Sequence, residues 1–197
     1  LMGRETQTYR YRVDSNDRIV WVDAWWLAFA RENGAPALDE QTVLGRSIWD
    51  YVSGEVTRRL FSEIHDRVRS SGVPAILPFR CDSPSLQRHM RLKITRENGG
   101  HLSYESHLLR VEPQRYCCAV DSSLPHSNCF LTMCSCCKRA LLESVGWLEV
   151  EDISARLRLF DQSEVPELRY TVCPDCESVM KTPIENGTNG FPVSEGH

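Results

Sequence analysis

The hydrophobic pattern changes period several times between residues 8 and 113. TYRYRVD, from Thr8, and RIVWVD, from Arg18, are short alternating runs, and Ser15-Asn16-Asp17 between them is turn chemistry, so the pair predicts a hairpin. From Ala24 to Asn33, Trp25, Trp26, Phe29 and Ala30 fall at helical spacing, with Gly34 placed as a cap. VLGRSIWDYV puts Gly45 at a turn ahead of a short helical piece. Between Glu55 and Ser71, the residues Val56, Leu60, Phe61, Ile64 and Val68 recur at spacings of three and four. They predict the longest helix, ended by Gly72. Strands follow over 75–81, 87–97 and 101–112, the last two joined through Asn98-Gly99-Gly100. Strands, then helices, then strands predict an α+β fold: a five-stranded antiparallel sheet with helices on one face.

Beyond residue 116 cysteine changes the picture. Of nine cysteines, only Cys81 precedes Cys117. This shift marks a boundary, with a sheet domain over 1–116. Residues 117–130, which hold the polar run DSSLPHSN, read as a linker, 131–181 as a cysteine-rich module and 182–197 as a disordered tail. Cys134 with Cys137, and Cys173 with Cys176, form two CxxC pairs. Zinc favours a tetrahedron of thiolates, and each CxxC turn supplies one edge of it, so these four are the expected ligands of a structural Zn2+. Iron accepts the same donors. Cys136 adds another thiol to the first pair, but the spacing favours Cys137. Between the pairs, strands are expected over 146–150, 157–160 and 168–170. So small a module buries too little to fold alone, and the metal is expected to supply much of its stability.

The totals narrow the function. Hydrophobic residues at 41% and charged residues at 25% are the balance of a soluble globular chain. A net charge of -4 argues against a general nucleic-acid binder. Lys138, Arg139, Arg156, Arg158 and Arg169 are also outnumbered by acidic residues in their own module. No apolar run reaches the length of a membrane span, and LMGRETQTYRYR lacks the apolar core of a signal peptide, so the expected location is cytoplasmic. No nucleotide loop, nucleophile elbow or metalloprotease motif is found, and no enzymatic activity is expected.

The stretches VDSNDRIVWVDAWWLAFARENG and VLGRSIWDYV, with the long helix and the three closing strands, resemble a PAS domain over residues 8–113. The resemblance implies strand order 2-1-5-4-3, a cavity between sheet and helices, and a sensory or dimerising role. The expected partners are a second copy of the chain and a signalling protein. Cys134-Ser135-Cys136-Cys137-Lys138, Trp147-Leu148-Glu149-Val150-Glu151 and Tyr170-Thr171-Val172-Cys173-Pro174-Asp175-Cys176 resemble a module that follows PAS domains in bacterial signalling proteins. That likeness implies a small zinc-ribbon-like module and no known reaction.

Among PAS cofactors, the cysteine-linked flavin has no thiol at Gly45-Arg46-Ser47-Ile48. His65 lies on the long helix, where some haem-binding PAS domains place their ligand. Its spacing instead puts it on the helix flank beside Glu63 and Asp66, in solvent. His89, His101 and His107 read as surface or sheet residues, and Trp21, Trp25, Trp26 and Trp49 as core. The cavity's occupant is left open. Alternative functions are a redox- or metal-responsive regulator that uses Cys81, Cys117, Cys118, Cys129 and Cys136, or a haem-binding PAS sensor.

Overall fold

A computed structural model describes residues 7–33 and 35–182. Gly34, expected as a cap, and 183–197 of the expected tail lie outside that range. The first half is built from β1 (Thr8–Val13), β2 (Ile19–Val22), α1 (Ala24–Glu32), α2 (Glu40–Val43), α3 (Glu55–Ser71), β3 (Ala75–Arg80), β4 (Leu86–Arg96) and β5 (Leu102–Pro113). The five strands form one antiparallel sheet in the order β2-β1-β5-β4-β3, as the PAS resemblance implies. The fold is α+β and PAS-like.

Local chemistry explains the boundaries. The Asp23 carboxylate accepts from Trp26 N at 2.6 Å and caps α1. Asp39 and Thr42 form a reciprocal capping box on α2, a short helix that the hydrophobic pattern does not announce. Gly72, at φ 71°, ends α3 in the left-handed conformation that glycine adopts without a Cβ penalty. Pro78 is tolerated in β3 because β3 is an edge strand. Leu60, Ile64 and Val68 of α3 are buried against Leu77, Leu92, Ile94, Leu102 and Tyr104 of the sheet.

The second half holds β6 (His126–Cys134), β7 (Ala140–Leu142), β8 (Gly146–Leu148), α4 (Val150–Arg156), β9 (Val165–Thr171) and α5 (Pro174–Lys181). Its sheet runs β8-β7-β6-β9, and β6 lies parallel to β9. Several expectations change here. The stretch 117–130 is not a loose connection: Cys117, Cys118 and Ala119 are buried, and β6 begins at His126. Residues 150–156 are helical, with Glu151 and Asp152 in the first turn and Val150 and Ile153 buried on one side, a spacing that no strand provides. Residues 157–160 are not a strand either. Leu157 closes α4, Arg158 is left-handed at φ 51°, and a 3-10 turn spans Leu159–Asp161.

Two apolar clusters result. One joins Leu131, Met133, Val150, Ile153, Leu159 and Val165 to the buried Cys117 and Cys118. The other is the interior of the first sheet, and it runs on without a break into Cys134, Cys137, Val172, Cys173, Cys176 and Met180.

Candidate metal centre

The two CxxC pairs arrive on different local structures. Cys134 ends β6, and the chain turns through Ser135–Lys138 into β7. Lys138 N donates to Cys134 O at 3.1 Å and Lys138 adopts φ 63°, which reverses the chain just after Cys137. A left-handed lysine costs about 1–2 kcal/mol relative to an unstrained backbone. Its ammonium returns to Ser135 O at 2.9 Å and braces the turn. Cys173 precedes α5, Pro174 opens that helix, and Cys176 sits in its first turn. The second pair is therefore a strand-to-helix junction and not a second hairpin.

The structure brings together the four sulfurs named from spacing. One ligand atom from each of Cys134, Cys137, Cys173 and Cys176 lies within 4.8 Å of all the others, and all four residues are buried. Cys137 Sγ and Cys173 Sγ are 3.7 Å apart. A tetrahedral zinc with Zn–S bonds of about 2.3 Å requires sulfurs about 3.8 Å apart. Cys136 is excluded from the quartet; its Sγ lies 3.7 Å from Met180 Sδ.

The electrostatics show what such a group requires. Hydrogen bonds from Cys136, Cys137, Cys173 and Cys176 hold the Cys134 thiol far below the usual thiol range. That charge in turn pushes Cys173 and Cys176 up. Cys134 opposes ionisation of Cys137 as well, but Cys173, Cys176 and Arg139 outweigh it and draw Cys137 down to about 6. Protons alone thus let the quartet carry only part of its possible negative charge. A divalent cation in their place lets all four ionise, so the donor set fits a closed thiolate site. Arg139 already leans toward that charge. Its Nε lies 3.4 Å from Cys137 Sγ, and its guanidinium reaches Cys173 Sγ at 3.5 Å and Asp175 at 2.7 Å. The Cys173 amide also points at Cys134 Sγ, at 3.4 Å.

The turn that carries the first pair is docked on the first sheet. Cys136 O accepts from Arg80 N on the free edge of β3 at 2.7 Å. Ser135 Oγ shares a 2.8 Å hydrogen bond with the buried Thr57 on α3. The Arg80 side chain, itself buried, pairs with Asp82 at 2.5 Å and with Glu149 at 2.5 Å. Sequence reasoning did not single out Thr57, Arg80 or Arg139. Only Arg139 left a trace, as a cation two places after a ligand.

Among the described residues, no histidine joins a further cluster of metal-ligating side chains. His65 is buried and not in solvent as its spacing suggests. Asp17 lies 2.7 Å from its Nδ1, and the Tyr104 hydroxyl meets its Nε2. A carboxylate only accepts, so Nδ1 carries the proton. With both ring nitrogens engaged, His65 has none turned to a haem iron. Burial alone would raise the Asp17 carboxyl; hydrogen bonds from His65 and Arg69 overcome it and hold Asp17 at about 2. Trp49 donates to the same carboxylate at 3.2 Å. Trp26 and Trp49 pack on the core, whereas Trp25, expected there, is 62% exposed. Cys129 is exposed and Cys81, Cys117 and Cys118 are unpaired, so the surplus cysteines form no disulfide.

No protein-family model and no curated protein sequence matches the chain. Among solved structures it is similar to a sensory box sensor histidine kinase from Vibrio cholerae, at 12% identity over 54% of this chain and 84% of that one, with a TM-score of 0.39. It is similar to the PAS domain of BvgS from Bordetella pertussis, at 13% identity over 79% and 82%, with a TM-score of 0.34. A third is the PAS domain of an HTR-like protein from Haloarcula marismortui, at 18% identity over 56% and 84%, with a TM-score of 0.33. At these values no functional argument rests on the likeness; the PAS-like description of the fold rests on the observed strand order, β2-β1-β5-β4-β3.

Proposed function

We propose that this chain is a sensory or protein-interaction unit whose PAS-like sheet carries a cysteine module held together by one structural zinc ion. The observation that carries the reading is the buried quartet of Cys134, Cys137, Cys173 and Cys176, with all four sulfurs within 4.8 Å. Four thiolates close a zinc shell and leave no position for a reacting water, which favours a structural over a catalytic role. The unit acts through a signalling partner or a second copy of itself. Val20 on β2 and Leu109 and Val111 on β5 are exposed apolar residues that such a partner can cover. No helix among the described residues is long and apolar enough to cross a membrane, and we place the chain in the cytoplasm, where thiols stay reduced.

Elemental analysis with an absorption spectrum of the purified protein tests the metal. One zinc per chain and no visible band is the expected result. A visible thiolate-to-iron band assigns iron to the site, and a folded protein with no metal overturns the reading. Sedimentation of the full chain tests the homodimer.

A further inference from the structure

A cavity of about 220 Å³ lies between the first sheet and α3. Its walls include Trp49, Phe61, Leu77 and Leu92 from the PAS-like half, together with Ser135 and Cys136 from the metal-binding turn. Ser106, directly opposite Leu92 across β4 and β5, also lines it. A serine at that inward position fills less volume than the Leu92 it faces, and close-packed neighbours do not collapse fully into such a gap. No Lys, Arg, Asp or Glu lines the cavity.

The metal-binding turn forms part of the wall of this space. Ser135 is bonded to Thr57 on the helix side, and Cys136 to Arg80 on the sheet side. The loop that holds Cys134 and Cys137 therefore bridges the two layers that enclose the cavity. Ser135 N is also tied to Thr171 O at 2.7 Å, just before the second cysteine pair.

Resting on the metal reading above, we propose that the metal-binding turn is the lid of a small-molecule cavity, so that a neutral one-ring molecule and the metal bind this chain cooperatively. The size sets the class. A dry apolar cavity of about 150 Å³ accepts benzene, and drug-sized ligands occupy about 300 Å³ or more. The cavity here falls between those limits. The absence of charged residues from its lining excludes an ion, because a buried charge without a partner is costly. Tyr104, Ser106 and Ser135 supply hydroxyl-bearing walls for one polar group on the ring. Burial holds Tyr104 protonated, well above its usual range.

Phenol is the probe, with benzoate as its charged counterpart. The full metal-loaded chain is titrated with each by calorimetry, and the rate of metal transfer to a chromogenic chelator is followed with and without phenol. Phenol is expected to bind saturably, benzoate to fail, and saturating phenol to slow metal transfer at least about fivefold, the low end of ordinary coupling between sites. Ser106→Leu, which fills the space from the sheet side, is expected to abolish phenol binding with the metal content unchanged. Thr57→Val, which removes the lid bond, is expected to keep the metal and lose the phenol effect on its release. Failure of phenol to bind the metal-loaded chain overturns the inference, as does phenol binding with no change in metal transfer, or benzoate binding as tightly as phenol. In each of those cases the structural-metal reading stands. Protein purified without metal defeats that reading instead, and the lid with it.

Discussion

Asp17 illustrates how much one side chain in a tight turn can hold. It sits at φ 59°, accepts from His65, Arg69 and Trp49, and links the first hairpin to α3. Its folded value of about 2 lies below the roughly 3.9 of an unfolded aspartate, so folding favours the ionised form. The stabilisation is therefore present above about pH 4 and is lost as the pH falls toward 2. Asp17→Asn is expected to flatten the dependence of stability on pH across that window, read from denaturant midpoints. An unchanged slope would assign the acid sensitivity to other carboxylates. Arg139 is the second residue whose role is specific. Because it donates to two of the four sulfurs, Arg139→Ala is expected to leave the fold intact and speed metal loss to a chelator. Removing such an outer partner typically costs about 10–100-fold in metal affinity. The four clustered cysteines were legible from spacing alone, and Arg139 was not, because contact with sulfur depends on how the turn folds back.

At the scale of elements, the junction of α3 with β9 is the most demanding contact. Gly54 precedes α3 at φ 89°, and a Cβ there would run into the Tyr170 carbonyl of β9. Gly54→Ala thus carries a left-handed penalty of about 1–2 kcal/mol and a backbone clash besides. Its thermal midpoint is expected to fall by several degrees. A midpoint within a degree of wild type would show that α3 and β9 separate at little cost. The Arg80 clasp gives a second expectation. Asp82 is buried against it, with a side chain 1% exposed, so Arg80→Met leaves a buried carboxylate unpaired. Breaking a buried pair from one side costs about 3–5 kcal/mol, which chemical denaturation should register. Most elements were readable in advance because each carries a full period of its pattern. The stretch 150–160 was not. Val150, Ile153 and Leu157 recur at helical spacing, but so short a run does not stand apart from the strand-like pieces on either side of it.

Over the whole molecule, the continuous core means that the two halves share one interior. The buried cysteines belong to the same apolar cluster as Leu60, Ile64 and Val68 of α3. Metal removal should therefore weaken the whole chain and not just the cysteine module. If the ion contributes even about 5 kcal/mol of its binding energy to folding, its loss lowers the midpoint by roughly 10–20 °C in a protein of this size. One cooperative transition is expected with metal bound, monitored through the tryptophan signal. Two separate transitions, with only the later one sensitive to chelator, would mean that the halves fold independently.

By itself the sequence determined the sheet, the long helix, the two cysteine pairs and the four cysteines whose sulfurs cluster. Each of these is local: a period of two, a period near three and a half, a glycine at a helix end, or two thiols three residues apart. Only the tertiary structure decided that His65 is buried between Asp17 and Tyr104, that Cys136 lines the cavity beside the quartet without joining it, and that β6 runs parallel to β9. It also decided that the turn carrying Cys134 and Cys137 docks on both α3 and the edge of β3. Those outcomes depend on which surfaces meet across long stretches of chain, and no local pattern encodes the partner that a buried polar group or a free strand edge will find.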